Sequence, residues 1–264
     1  MRRRLVLGVV IVLLLAGGVA AAVILSNQSS QTSNSDDLEA IQAEMDAGDY
    51  ESAKAQLEAM LAEEEGNAEA HFKLGLVAFN MGSYDEAREH FNRSLELEPD
   101  RAAAVHHNLG VLAYQLGNME TALDEFQTAL EADPDDADTH YQLGATYLIL
   151  AFPMGAMEPD AERLAQAQME FERALEVSPE KPEAMVGLAN VYMLRNEMDE
   201  AIALLEDVTA ARPEMREALF ALGRSYATVG ETEKAIVTLE QFLETDPPAV
   251  WAEQAEDLLQ SLSQ

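Results

Sequence analysis

His71, His90, His106, His107 and His140, together with 49 acidic side chains, are the groups in this chain that could ligate a metal or move a proton. His71, His106 and His140 recur at intervals of 35 and 34 residues. On equivalent helices of a stack they would stand about 10 Å apart, whereas a metal–nitrogen bond needs about 2 Å. His106 and His107 are adjacent, and neighbours on a helix project about 100° apart, so they cannot chelate together. No His-Glu-x-x-His pair occurs. The carboxylates are densest at Glu63-Glu64-Glu65 and from Asp133 to Asp138, beside turns where acids cap helix N-termini. Their abundance removes any specificity as paired catalysts. There is no glycine-rich phosphate loop, nucleophile elbow or dinucleotide fingerprint. With no cysteine, disulfides, thiolate metal sites and a cysteine nucleophile are excluded. The sequence is read as non-catalytic, with no cofactor and no metal, the histidines filling places where a larger aromatic could stand.

Charge narrows the partners. Sixteen Lys and Arg against 49 Asp and Glu give a formal net charge of −33 in 264 residues. A surface that negative repels phosphate backbones, which excludes nucleic acid, and it favours cationic partners. An apolar content of 48% is enough to bury a core.

The chain opens MRRRLVLGVVIVLLLAGGVAAAVIL. From Leu5 to Leu25 there is no charge, and about 20 apolar residues span a bilayer as a helix. Arg2, Arg3 and Arg4 would stay cytoplasmic. Residues 1–25 are therefore expected to be a transmembrane signal-anchor, with the remainder on the extracytoplasmic side. The alternative is secretion after cleavage near Ala20-Ala21-Ala22. Residues 26–37, SNQSSQTSNSDD, are a flexible polar linker.

The elements that must position everything else are read from a repeat. Leu74-Gly75 is followed by Ala87, Phe91 and Pro99; Leu109-Gly110 by Ala122, Phe126 and Pro134. Leu143-Gly144 is followed by Ala167, Phe171 and Pro179, with about eleven residues inserted; Leu188-Ala189 by Ala201, Leu205 and Pro213; Leu222-Gly223 by Ala235, Leu239 and Pro247. The small residue allows two helices to approach, as at Gly75 against Ala87. Gly82, Gly117 and Gly230 break the chain between them, and each proline stops the second helix. This pattern resembles the tetratricopeptide repeat (TPR) family, with histidine, Met185 or Leu219 in place of its tryptophan. The resemblance implies an all-α, right-handed superhelical solenoid of helix-turn-helix repeats. It would span 38–247 in about six repeats, the first degenerate, with an insertion near 151–160. Residues 248–264 would form a capping helix whose buried stripe is Trp251, Ala255, Leu258 and Leu259.

A second apolar stripe on the first helices suggests function. Phe72, Leu76 and Phe79 are spaced i, i+4, i+7, and the spacing recurs at His107, Val111 and Tyr114, then at Tyr141, Ala145 and Leu148. It continues, more polar, through Val186 and Asn190 to Phe220 and Arg224. In the family resembled, this side lines a concave groove, so one continuous surface for a protein or peptide is expected. Its ligand would be apolar or amphipathic with basic flanks. Phe152, Met154 and Met157 in the insertion form a second candidate contact. The implied role is a membrane-anchored scaffold for complex assembly. The alternative is a chaperone-like envelope biogenesis factor resembling the membrane-anchored repeat proteins of cytochrome c maturation.

Overall fold

A computed structural model describes residues 37–152 and 158–263. The expected membrane helix, nearly all of the linker, and Met154 and Met157 lie outside these residues. Among the described residues no helix is long and apolar enough to cross a membrane.

Thirteen α-helices and no strand make up the described residues. They are α1 (37–46), α2 (Tyr50–Glu63), α3 (Ala68–Asn80), α4 (Tyr84–Leu97), α5 (Ala102–Gln115), α6 (Met119–Ala132) and α7 (Ala137–Leu150). Then follow α8 (Ala161–Val177), α9 (Pro182–Leu194), α10 (Met198–Ala211), α11 (Arg216–Val229), α12 (Thr232–Glu244) and α13 (Ala249–Leu262). They fall into two compact units, divided between Pro99 and Asp100. The first holds α1–α4, and the second holds α5–α13. A short 3-10 turn, Pro99–Arg101, straddles the division.

The hairpins form where sequence and backbone chemistry agree. After α3, Gly82 takes φ 76° and lets Ser83 N–H donate back to the Ala78 carbonyl at 2.8 Å, closing the helix end. Gly117 and Gly230 act alike after α5 and α11. The fourth full repeat has no glycine there; Asn196 enters the left-handed region instead, at φ 62°. Each second helix stops two or three residues before its proline.

In the first three full repeats the glycine makes room for a phenylalanine ring, and Gly223 does the same for Leu239. A Cβ on Gly75 would sit 2.6 Å from the Phe91 ring, and one on Gly110 would be equally close to Phe126. Phe171 is held from two sides. Added Cβ atoms on Gly144 and Gly187 would come within 3.0 and 2.5 Å of it. Gly187 belongs to the next repeat, one residue before its Leu188-Ala189 pair. Phe91, Phe126 and Phe171 are almost wholly buried, as are Leu205 and Leu239 at the matching places.

The eleven inserted residues are absorbed partly by α8, which has 17 residues where most of the other helices have 13 or 14. Asp160 caps it, accepting from the N–H groups of Glu162 and Arg163. At the end of the second unit, α13 packs on α12 and α11. Its Ala255 is fully buried, and Trp251 stacks on Phe220 with ring centres 5.6 Å apart.

Candidate functional site: a groove in the second unit

The first helices of successive repeats in the second unit, α5, α7, α9 and α11, share one lining. Their stripe residues converge on a cavity of about 440 Å³ lined by Tyr114, Tyr141, Leu148, Val186, Phe220 and Arg224, together with Phe171 and with Trp251 and Gln254 of α13. The i, i+4, i+7 spacing brings these side chains together because α5, α7, α9 and α11 present the same face in turn.

The structure sorts the predicted residues. Tyr114, Tyr141 and Leu148 line the cavity. His107 and Val111 do not. His107 turns its Nδ1 to the Thr139 hydroxyl at 2.6 Å and lays its ring on Phe126, at 6.0 Å between centres. Val111 is half-buried against the core. Phe72, Leu76 and Phe79 belong to the first unit. There Phe72 leans on Phe91 and Phe79 on Tyr84, at 5.7 and 5.8 Å between ring centres, and Leu76 packs on the core of that unit. All three are half-buried. Phe152 is 44% exposed just after α7. Trp251, read from sequence only as a core residue of the cap, also lines the cavity, outside the repeat pattern. The cap stands outside the repeat and carries no counterpart of the stripe.

The groove is apolar with a negative field. Burial raises the pKa of Tyr114, and it raises that of Tyr141 with further help from Tyr114, Glu183 and Glu217. Both phenols are therefore neutral donors at ordinary pH. Glu183 and Glu217 border the cavity, and the cations beside it are engaged. Arg224 lies 5.6 Å over the Phe220 ring, and Lys181 lies 5.7 Å from the Tyr141 ring while paired with Asp138. A segment with apolar anchors and a free Lys or Arg would find its complement here.

A larger recess, about 1120 Å³, opens on α10, α11 and α12, away from every predicted residue. Leu219 and Thr238 form part of its wall. No stripe of aromatic side chains crosses it.

The histidines are not simple stand-ins for an aromatic, which corrects the sequence reading. His71, His106 and His140 each reach a partner on the second helix of the same hairpin, 19 residues on, or 30 across the insertion. His106 Nδ1 meets Glu125 at 2.7 Å, and His140 Nδ1 meets Glu170 at 2.7 Å. His71 Nδ1 meets His90 Nδ1 at 3.0 Å. The corresponding pairs in the last two repeats are Met185 with Leu204 and Leu219 with Thr238. Among the described residues no three His, Asp or Glu side chains are grouped to hold a metal ion.

Two of these imidazoles resist protonation. Burial lowers the pKa of His90, followed by the neighbouring His71, against the opposing Glu86 and Glu89; burial also lowers that of His107, against Asp136 and Asp138. A lowered pKa means the folded state binds fewer protons than the unfolded one. The stability these groups contribute is present above the ordinary histidine value, about 6.5, and is lost as pH falls through and below it. Urea midpoints are expected to drop between about pH 7 and pH 5, and the drop should shrink in His90→Gln and His107→Gln. An undiminished pH slope in both variants would contradict this.

Comparison with known proteins agrees with this geometry. Family models described as tetratricopeptide repeat match residues 66–135, 125–168, 160–214 and 196–262. The chain belongs to the tetratricopeptide repeat family. No curated protein sequence matches it. Among solved structures, it is similar to Pseudomonas aeruginosa PilF, at 19% identity and a TM-score of 0.70, over 84% of this chain and 95% of that one. A tetratricopeptide repeat protein from Parabacteroides merdae aligns at 20% identity and a TM-score of 0.63, over 87% and 98%. YrrB, described as a TPR protein with an unusual peptide-binding site, aligns at 22% and 0.56, over 76% and 97%. At these identities the likeness establishes the fold.

Proposed function

We propose that this protein is a non-catalytic scaffold, held at a membrane by its N-terminal apolar segment, whose second unit binds a protein segment in the groove between Tyr114 and Trp251. The observation that carries the reading is the convergence of Tyr114, Tyr141, Leu148, Phe220 and Trp251 on one cavity bordered by Glu183 and Glu217. Aromatic anchors in a partly desolvated pocket supply most of an interface's affinity, while bordering charges set on-rate and salt dependence. The occupant is an amphipathic helix or extended segment with apolar anchors and flanking Lys or Arg. YrrB's description as peptide-binding supports the same class of ligand.

A photoreactive residue placed at Leu148, with a second at Val237 on the far recess as control, tests this. The segment recovered from Leu148 in membranes is expected to carry apolar residues beside Lys or Arg. Recovery of acidic segments only, or equal recovery from Val237, would overturn the reading. A haem apoprotein as the captured partner would instead favour the maturation chaperone.

A further inference from the structure

The lining of the groove carries both signs of charge, in register on two helices that pack side by side. On α9 it runs Glu183, Val186, Gly187 and Asn190, and on α11 Glu217, Phe220, Ala221 and Arg224. Both sets are spaced i, i+3, i+4, i+7, which is one face of a helix. Each helix thus offers a carboxylate in its first turn, an apolar middle, and an amide or a guanidinium two turns on. At about 1.5 Å of rise per residue, the acidic row and Arg224 stand about 10 Å apart along α11. Among the described residues, none of Glu183, Glu217 and Arg224 enters a hydrogen bond or an ion pair. Lys181, the other cation beside the cavity, is already paired with Asp138. Arg224 lies 5.6 Å over the Phe220 ring, and a guanidinium held over a ring keeps N–H groups with which to meet a carboxylate bidentately.

We propose that the groove reads a segment carrying charges of both signs in a fixed order: a Lys or Arg against Glu183 and Glu217, an apolar residue against Val186 and Phe220, and an Asp or Glu against Arg224. This rests on the groove of the second unit being the binding site, and adds to that reading an acidic group and a direction. A separation of about 10 Å corresponds to three residues of an extended ligand or seven of a helical one. A segment turned end to end would bring its acid to Glu183 and Glu217 and its base to Arg224. Like charges brought together in this way are strongly disfavoured. A segment basic at both ends would leave Arg224 facing a like charge. The aromatic rings supply affinity in either sense, so the two charged rows are what select order and composition.

The test is selection of a random library of peptides about twelve residues long on the full chain in detergent micelles, followed by titration of the most enriched peptide. Enriched peptides are expected to carry a basic and an acidic residue three or seven positions apart, in one order, with an apolar residue between. For the chosen peptide, Arg224→Gln should weaken binding about tenfold or more, and so should replacing the peptide's acid by its amide. The two changes together should weaken binding no further than either alone, because both remove one contact. The double variant Glu183→Gln with Glu217→Gln should enrich peptides that keep the acid and lose the base. Arg224 is exposed, so Arg224→Gln should fold, and circular dichroism checks each variant. Enrichment of apolar, basic peptides without an acid, or losses that multiply when the two changes are combined, would overturn this inference and leave the groove as the binding site. No enrichment, or enrichment unchanged in Trp251→Ala, would overturn both.

Discussion

Replacing Phe171 with alanine is expected to destabilise the second unit by about 3–5 kcal/mol, the most of any single apolar truncation here. The ring is 1% exposed, on α8. It is held between Gly144 of its own hairpin and Gly187 of the next. Glycine at both places means that no side chain can swing in to fill the void, so the cavity persists and its full cost is felt. The effect should spread beyond one hairpin. Repeat arrays are stabilised by nearest-neighbour contacts, and Phe171 serves two neighbours at once. Amide exchange in α7, α8 and α9 should speed up together in Phe171→Ala. A urea midpoint corresponding to less than about 1 kcal/mol of loss would mean that the two glycines do not confine the ring.

A second large effect is expected at His140 and Glu170. Both side chains are nearly buried, and His140 Nε2 lies 3.0 Å from the Pro134 carbonyl. His140 thus bridges a carboxylate at Nδ1 and a carbonyl at Nε2. His140→Phe keeps the volume and aromaticity but leaves the Glu170 carboxylate buried and unpaired. Leaving a buried acceptor without its hydrogen bond costs about 1–3 kcal/mol, and more for a charged group, whereas replacing both members with apolar groups of similar shape is often near neutral. The fourth full repeat already has the apolar solution, Met185 at the place of His140 and Leu204 at that of Glu170. The double change His140→Met with Glu170→Leu should therefore recover most of the stability lost in His140→Phe. If His140→Phe alone is as stable as wild type, the pair contributes packing and nothing more.

The fold was legible because the Leu-Gly, Ala, Phe and Pro positions repeat with fixed spacing, and each has one dominant physical job. The turn glycines and the stopping prolines fell where the backbone needs them. The ring pairing of His71 with His90 was not legible. An offset of 19 residues across a hairpin is no helical period, and a histidine's type is compatible with packing, proton sharing or ligation. The division after Pro99 was also hidden, since the repeat spacing runs through it unchanged. Along the i, i+4, i+7 stripe, Tyr114, Tyr141 and Leu148 line one cavity. On the same stripe His107 turns to the Thr139 hydroxyl, and Phe72 and Phe79, in the first unit, rest on Phe91 and Tyr84 of α4. Periodicity reports which face of a helix a residue occupies. It does not report what the side chain leans on.

The central claim is that the groove of the second unit binds an apolar, basic-flanked segment, and affinity at that groove tests it most directly. The segment crosslinked from Leu148 would be titrated calorimetrically into the wild type, Tyr141→Ala and Trp251→Ala, with circular dichroism on each. The groove reading predicts folded variants, weakening of about 1–3 kcal/mol in each, and affinity that falls as salt rises. Folded variants that bind the segment as tightly as the wild type would contradict it.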